Sequence, residues 1–208
     1  MKDKRLFKGR LSFLAIALVV VTSCSQSNEK HTGGPRNADT AVTLPQVTNT
    51  DSLLVPGKAA GTIVLGSNAA DVVEALGKPD RGDAAMGKSV STWFANHDAS
   101  SYAFSIFSSR DMGNSDNAFI KQIRVTAPGF RTAGGVGTQS SLEEIKSKFK
   151  VQEEKGYKLK QEEVHVYADT SGIAFEVDGK GTCIGIVIYP AGSLHPDTYA
   201  RFIPDMGR

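Results

Sequence analysis

The sequence predicts an α+β fold in which two helix-β-β-β repeats form an antiparallel sheet with the helices packed on one face. Three observations predict it. Two short amphipathic patterns, one near residue 70 and one near residue 145, are each bounded by helix start and stop signals. Each is followed by three runs rich in β-branched and aromatic residues, separated by turn-forming clusters. The order then recurs at a period of roughly 70 residues, so the chain reads as one unit written twice.

The first repeat (59–130) opens with Ile63-Val64-Leu65-Gly66 and a helix from about Ala69 to Leu76. Asn68 is its N-cap, with Asp71 in the first turn, and Gly77 followed by Pro79 stops it. Strands are expected over Val90–Ala95, Tyr102–Ser108 and Phe119–Thr126.

The second repeat (131–194) starts at Gly134-Gly-Val-Gly137. Its helix runs from Leu142 to about Phe149, with Leu142, Ile145 and Phe149 on one face. Ser140 with Glu143 has the spacing of a capping box, and Glu144 and Lys148 form an i,i+4 pair on the solvated side. Strands are expected over Val164–Ala168, Ile173–Val177 and Cys183–Tyr189, with a turn at Asp178-Gly179.

Ahead of this region, Ser25 to Lys58 holds no aromatic residue and is rich in Thr, Asn, Gln, Ser, Gly and Pro. Such a composition buries too little apolar area to offset chain entropy, so 24–58 is expected to be a disordered tether. Residues 195–208 read as a C-terminal tail. The first 23 residues have the pattern of a signal peptide. Lys2, Lys4, Arg5, Lys8 and Arg10 precede an apolar run from Leu11 to Val21, too short to span a bilayer core that needs about 20 residues. Val21-Thr22-Ser23-Cys24 resembles a lipobox, which implies cleavage before Cys24 and acylation of its sulfur. Ser25 after the cysteine favours the outer membrane, with the protein facing the periplasm.

Removing residues 1–23 takes away five of the 24 basic and one of the 22 acidic residues, leaving 19 and 21, so the net charge passes from +2 to −2. The basicity of the whole chain belongs to its leader and so argues nothing about nucleic acid, and no nucleic-acid partner is expected. Cys183 is then left without a second cysteine. Set in the apolar run Gly181–Ile188, it reads as a small core hydrophobe.

Several motifs bear on chemistry. Gly82–Ser89 matches G-x-x-x-x-G-K-[ST], but the residues after it read as a strand where a phosphate loop needs a helix, so no nucleotide is expected. Arg81-Gly82-Asp83 is a short tripeptide that chance supplies easily. His31, His97, His165 and His195 lack metal-ligand spacing, and Asp111, Asn114, Asp116 and Asn117 lack that of a calcium loop. No G-x-S-x-G elbow occurs. With no acid, base or nucleophile set in view, the chain is expected not to be an enzyme and to need no cofactor.

The aromatic residues are more informative. Tyr102, Phe104 and Ile106 share one face of their strand, and Ala103, Ser105 and Phe107 the other. Trp93, Tyr102, Tyr167 and Tyr189 are the candidate interface residues, since tyrosine and tryptophan suit a protein interface.

Leu65-Gly66…Asp71-Val72…Ala75-Leu76-Gly77-Lys78-Pro79 resembles the opening of the SmpA/OmlA (BamE)-like and β-lactamase-inhibitor-protein-like modules, and Gly134–Phe149 resembles a variant lacking the final Gly-x-Pro. The resemblance implies helices on an antiparallel sheet, often lipid-anchored, acting by binding other proteins. The expectation is therefore a lipoprotein of the cell envelope, held to the membrane through Cys24, that serves as a protein-binding or assembly module. The alternative is an inhibitor or sensor of a secreted enzyme.

Overall fold

The structure, a computed structural model, describes residues 50–192. The expected signal peptide, Cys24, most of the expected tether and the expected C-terminal tail lie outside the described residues. Within the described residues, twelve strands and two α-helices follow in order. Strand β1 (Leu53–Val55) pairs with β2 (Ala59–Ala60), and β2 with β3 (Ile63–Val64). Helix α1 (Ala69–Leu76) leads into β4 (Arg81–Ala85), β5 (Lys88–Phe94), β6 (Ala103–Ser109) and β7 (Phe119–Val125). After the short β8 (Arg131–Thr132), helix α2 (Leu142–Lys148) leads into β9 (Gln152–Leu159), β10 (Glu162–Asp169), β11 (Ile173–Asp178) and β12 (Cys183–Ile188).

The strands after each helix form an antiparallel meander, and the two meanders join through β7 and β12 into one eight-stranded sheet of order β4-β5-β6-β7-β12-β11-β10-β9. A small sheet of order β3-β2-β1-β8 accompanies it. The α+β class stands, with antiparallel pairing throughout the large sheet.

Three expectations need correction. Each helix is followed by four strands of the large sheet, not three. Strand β4 is wholly exposed and β9 is an outer strand rich in Glu and Lys, so neither shows the apolar alternation that marks a half-buried strand. The fold also begins earlier than residue 59: Leu54 is 1% exposed, and β1 runs parallel to β8. Pairing with β2 and β8 and one apolar anchor order a stretch whose composition reads as tether. Finally, the cap of α2 lies one residue later than its spacing suggested. Ser141 Oγ accepts from Glu144 N at 3.2 Å, while Ser140 Oγ accepts from Gly137 N.

The cap of α1 is as expected, with Asn68 Oδ1 accepting from Ala70 N at 3.0 Å. Gly77 ends the helix at φ 81°, a conformation that favours glycine. Each helix buries one residue fully, Val72 in α1 and Ile145 in α2. Both join the same core cluster with Leu54, Ile106, Ile123, Phe175 and Ile186, so the two helices share one face of the large sheet. The opposite face carries a second cluster of Val166, Ala168, Ala174, Val187 and Tyr189. Beside it the fully buried Glu176 meets Arg124. Cys183, 1% exposed, belongs to the helix-side core, and burial pushes its thiol up to about 12.

Candidate functional site

The helix-side face of the first meander carries an aromatic row. Trp93 on β5 is registered opposite Phe104 on β6, with ring centroids 6.5 Å apart. Phe130, from the loop before β8, lies 6.0 Å from Phe104 on the other side. Strand alternation points Trp93 and Phe104 toward the helices, and the turn that ends α1 locks the indole, whose Nε1 donates to Gly77 O at 2.9 Å. Above the row, Leu76 closes α1 while remaining 42% exposed.

These rings, with Ala60 and Ile63 of the small sheet, line a cleft of about 340 Å³. That is at the lower end of the range for small-ligand sites, and the lining is mostly apolar with a few polar groups, as such sites are. The polar groups are Asp51, Thr62, Asp80 and His97. Asp80 turns its carboxylate inward, where the side chain is 17% exposed. It accepts from Phe94 N at 2.7 Å and contacts His97 Nδ1 at 2.6 Å. Asn96 and His97 both have positive φ, 57° and 58°, so the strand end curls back to bring the imidazole to the acid. The Phe94 amide first, and His97 second, hold the Asp80 carboxyl below the usual carboxylate range, and it is ionised at neutral pH. Chemically the cleft offers aromatic faces beside a fixed negative charge.

The four candidate interface residues do not form one surface. Trp93 lies in the cleft, half-buried. Tyr102 is 48% exposed just before β6. Tyr167 is half-buried on the helix side of the second meander, with Lys146 Nζ 5.3 Å from its ring centroid. Tyr189 is 6% exposed on the opposite face. Its hydroxyl donates to Asp169 O at 2.7 Å, with Ile173 O at 3.2 Å. Burial, then the Asp169 charge, push the phenol up to about 12. Tyr189 is thus a core residue and is withdrawn from the interface set, because a strand-end tyrosine with carbonyls in reach can be buried whole.

The Gly82–Ser89 segment is a hairpin: β4 and β5 pair through a turn at Met86 and Gly87, and Lys88 and Ser89 open a strand rather than a helix. Asp111 Oδ2 accepts from Asn114 Nδ2 within its loop, and among the described residues no group of three or more His, Cys, Asp or Glu is placed to hold a metal ion. Among the described residues, no helix is long and apolar enough to cross a membrane.

Sequence reasoning missed Leu76, Asp80, His97 and Phe130 as cleft residues. Leu76 is the last position of the first helix pattern, and Asp80 lies just past the Gly77–Pro79 stop, where no local signal marks it. His97 and Phe130 meet only when β5, β6 and the loop before β8 converge, which no local spacing signals.

No protein-family model matches the chain, and no curated protein does. Among solved structures the chain is similar to a cysteine-rich secretory protein from Staphylococcus aureus subsp. aureus Mu50, at 12% identity and a TM-score of 0.41, over 76% of this chain and 52% of that one. It is also similar to an extracellular protein containing an SCP domain from Bacillus anthracis str. Ames, at 12% identity and a TM-score of 0.37, over 66% of this chain and 46% of that one. The chain spans about half the length of these structures. Likenesses of this size carry no argument about activity.

Proposed function

We propose that the protein is a lipid-anchored component of the cell envelope, outside the cytoplasm, whose folded region binds another protein through the aromatic cleft. The anchor rests on the sequence: a basic start, a short apolar run and Cys24 at the position of a lipobox cysteine. Ser25 favours the outer membrane, facing the periplasm. The single observation that carries the binding reading is the cleft itself. A half-buried tryptophan and the half-exposed Leu76 border an open apolar space of about 340 Å³, an arrangement that suits an anchoring side chain of a partner.

We further infer that the two halves are copies of one unit, each a helix and a four-stranded meander. The element order and strand register support this. The resemblance of Leu65–Pro79 to the SmpA/OmlA and β-lactamase-inhibitor-protein-like opening agrees with a binding rather than catalytic role. The alternative, an inhibitor or sensor of a secreted enzyme, uses the same cleft and differs in the partner.

The test is site-specific photocrosslinking in intact envelopes, with the photoreactive residue at Leu76 and, as control, at Lys180. A discrete adduct at Leu76 that disappears in Trp93→Ala, and is absent at Lys180, supports the proposal; equal adducts at both positions overturn it. An adduct containing assembly machinery favours the first reading, and one containing a soluble hydrolase favours the alternative. For the anchor, Cys24→Ala is expected to abolish fatty-acid labelling, and labelling that persists refutes it.

A further inference from the structure

The second half of the sheet shows what the cleft in the first half is shaped to hold. Val72 and Ile145, the buried residues of α1 and α2, each lie four positions after the N-cap, Asn68 or Ser141. On that alignment Val73 corresponds to Lys146 and Leu76 to Phe149. The strands agree: Trp93 opposite Phe104 matches Tyr167 opposite Phe175. Glu153 is registered beside Tyr167, and Asp80 lies one step before Arg81, whose partner is Thr92, so it falls beside Trp93.

In the second half this arrangement is filled from within. Phe149 packs on Phe175 with centroids 5.1 Å apart, and the Lys146 ammonium stands over the Tyr167 ring beside an acid. In the first half the acid and the aromatic ring are both present, but the helix supplies Val73 where the other supplies lysine. Leu76 stands half-exposed where the other helix buries much of Phe149. The result is the cleft. Among the described residues that line it, none is Lys or Arg, and His97 sits at the mouth with its side chain 82% exposed.

We infer that the cleft takes a basic side chain of the partner protein, a lysine or arginine whose alkyl stem lies against Leu76 and Phe104 and whose cation stands over Trp93 beside Asp80. This rests on the proposed binding role and names the chemistry it recognises. Attraction of a cation to the face of an indole, the best of the aromatic rings for it, is reinforced by an ionised carboxylate at the same ring. An arginine or lysine stem also covers apolar surface while its head keeps polar partners.

Trp93 is the one tryptophan of the chain, so its fluorescence reports on the cleft directly. Full-length protein would be titrated with blocked glycine pentapeptides carrying lysine, arginine, norleucine or glutamate at the centre, and with choline. Lysine and arginine peptides are expected to bind at least about fivefold tighter than norleucine, with glutamate weakest. Asp80→Asn should shrink that preference, and Val73→Lys should shift the emission without peptide and abolish the response, at an unchanged far-UV spectrum. Equal affinity for norleucine and lysine peptides overturns the basic-side-chain inference and leaves the binding role standing. Tighter binding of choline than of any peptide overturns it in favour of a quaternary ammonium headgroup. If no probe perturbs Trp93, the binding role of the cleft falls as well.

Discussion

Glu176, without exposed surface, is gripped by Arg124 across an intervening strand. Arg124 Nε donates to Oε1 at 2.9 Å and Nη2 to Oε2 at 2.7 Å, linking β11 to β7 over β12. The carboxylate crosses β12 at Gly185, where a Cβ would overlap Glu176 Oε2. Glycine is there to let the pair pass. Tyr157 lies close by, and burial, followed by the charge of Glu176, raises its phenol far above the usual range.

Breaking this pair leaves a buried charge without its partner. Arg124→Met is expected to cost about 3–5 kcal/mol, whereas the double change Arg124→Met with Glu176→Leu should cost clearly less, because it removes both charges. Gly185→Ala should cost about 1–3 kcal/mol by crowding the carboxylate. Urea denaturation of the three variants checks this, and a double variant as unstable as the single one refutes the argument.

Asp169 couples stability to acid. Burial raises its carboxyl, but hydrogen bonds from the Ser171 side chain and amide and from the Lys150 amide outweigh this and hold it below the usual range. A depressed folded-state pKa contributes stability that is present above the unfolded value of about 3.9 and is lost as pH falls through the folded value. Asp169→Asn should therefore destabilise at neutral pH by about 1.5–3 kcal/mol and flatten the loss of stability below about pH 4. Thermal melts between pH 7 and pH 2 measure both.

The caps make a smaller test. Ser141→Ala and Asn68→Ala should each cost about 1 kcal/mol, since each side chain satisfies an amide at its helix start. Ser140→Ala acts on the preceding loop instead, through the Gly137 amide. A Ser140 variant that lowers helix content more than Ser141→Ala, by circular dichroism, would reverse the assignment.

Cys183 should not react with a maleimide or an aromatic disulfide in the folded protein, because its thiol is buried and pushed up to about 12. In a Cys24→Ala background it should label fully once urea unfolds the chain. Rapid labelling without denaturant would show that the strand opens or that the thiol is exposed.

Much of this fold was legible wherever a local physical rule decides the outcome. Asn68 and Gly77 bracket α1 because a side-chain oxygen and a residue free to take positive φ are what helix ends require. The six apolar strands lie within a residue or two of where alternation put them, since one of their faces meets the core. Strands β4 and β9 escaped notice because their order comes from pairing with β5 and β10 rather than from burial of their own side chains. β1 escaped because three residues carry too short a pattern to read.

The candidate site divides along the same line. By itself the sequence determined the α+β class, the two helices, the inert character of Cys183 and the choice of Trp93 as a residue to watch, all of which rest on composition and near-neighbour spacing. Only the tertiary structure decided which aromatic residues open to solvent, burying Tyr189 and leaving a cleft beside Trp93. It alone brought Asp80, His97 and Phe130 to that cleft. Spacing along a chain sets which face a side chain takes, but burial depends on what the rest of the fold lays against that face.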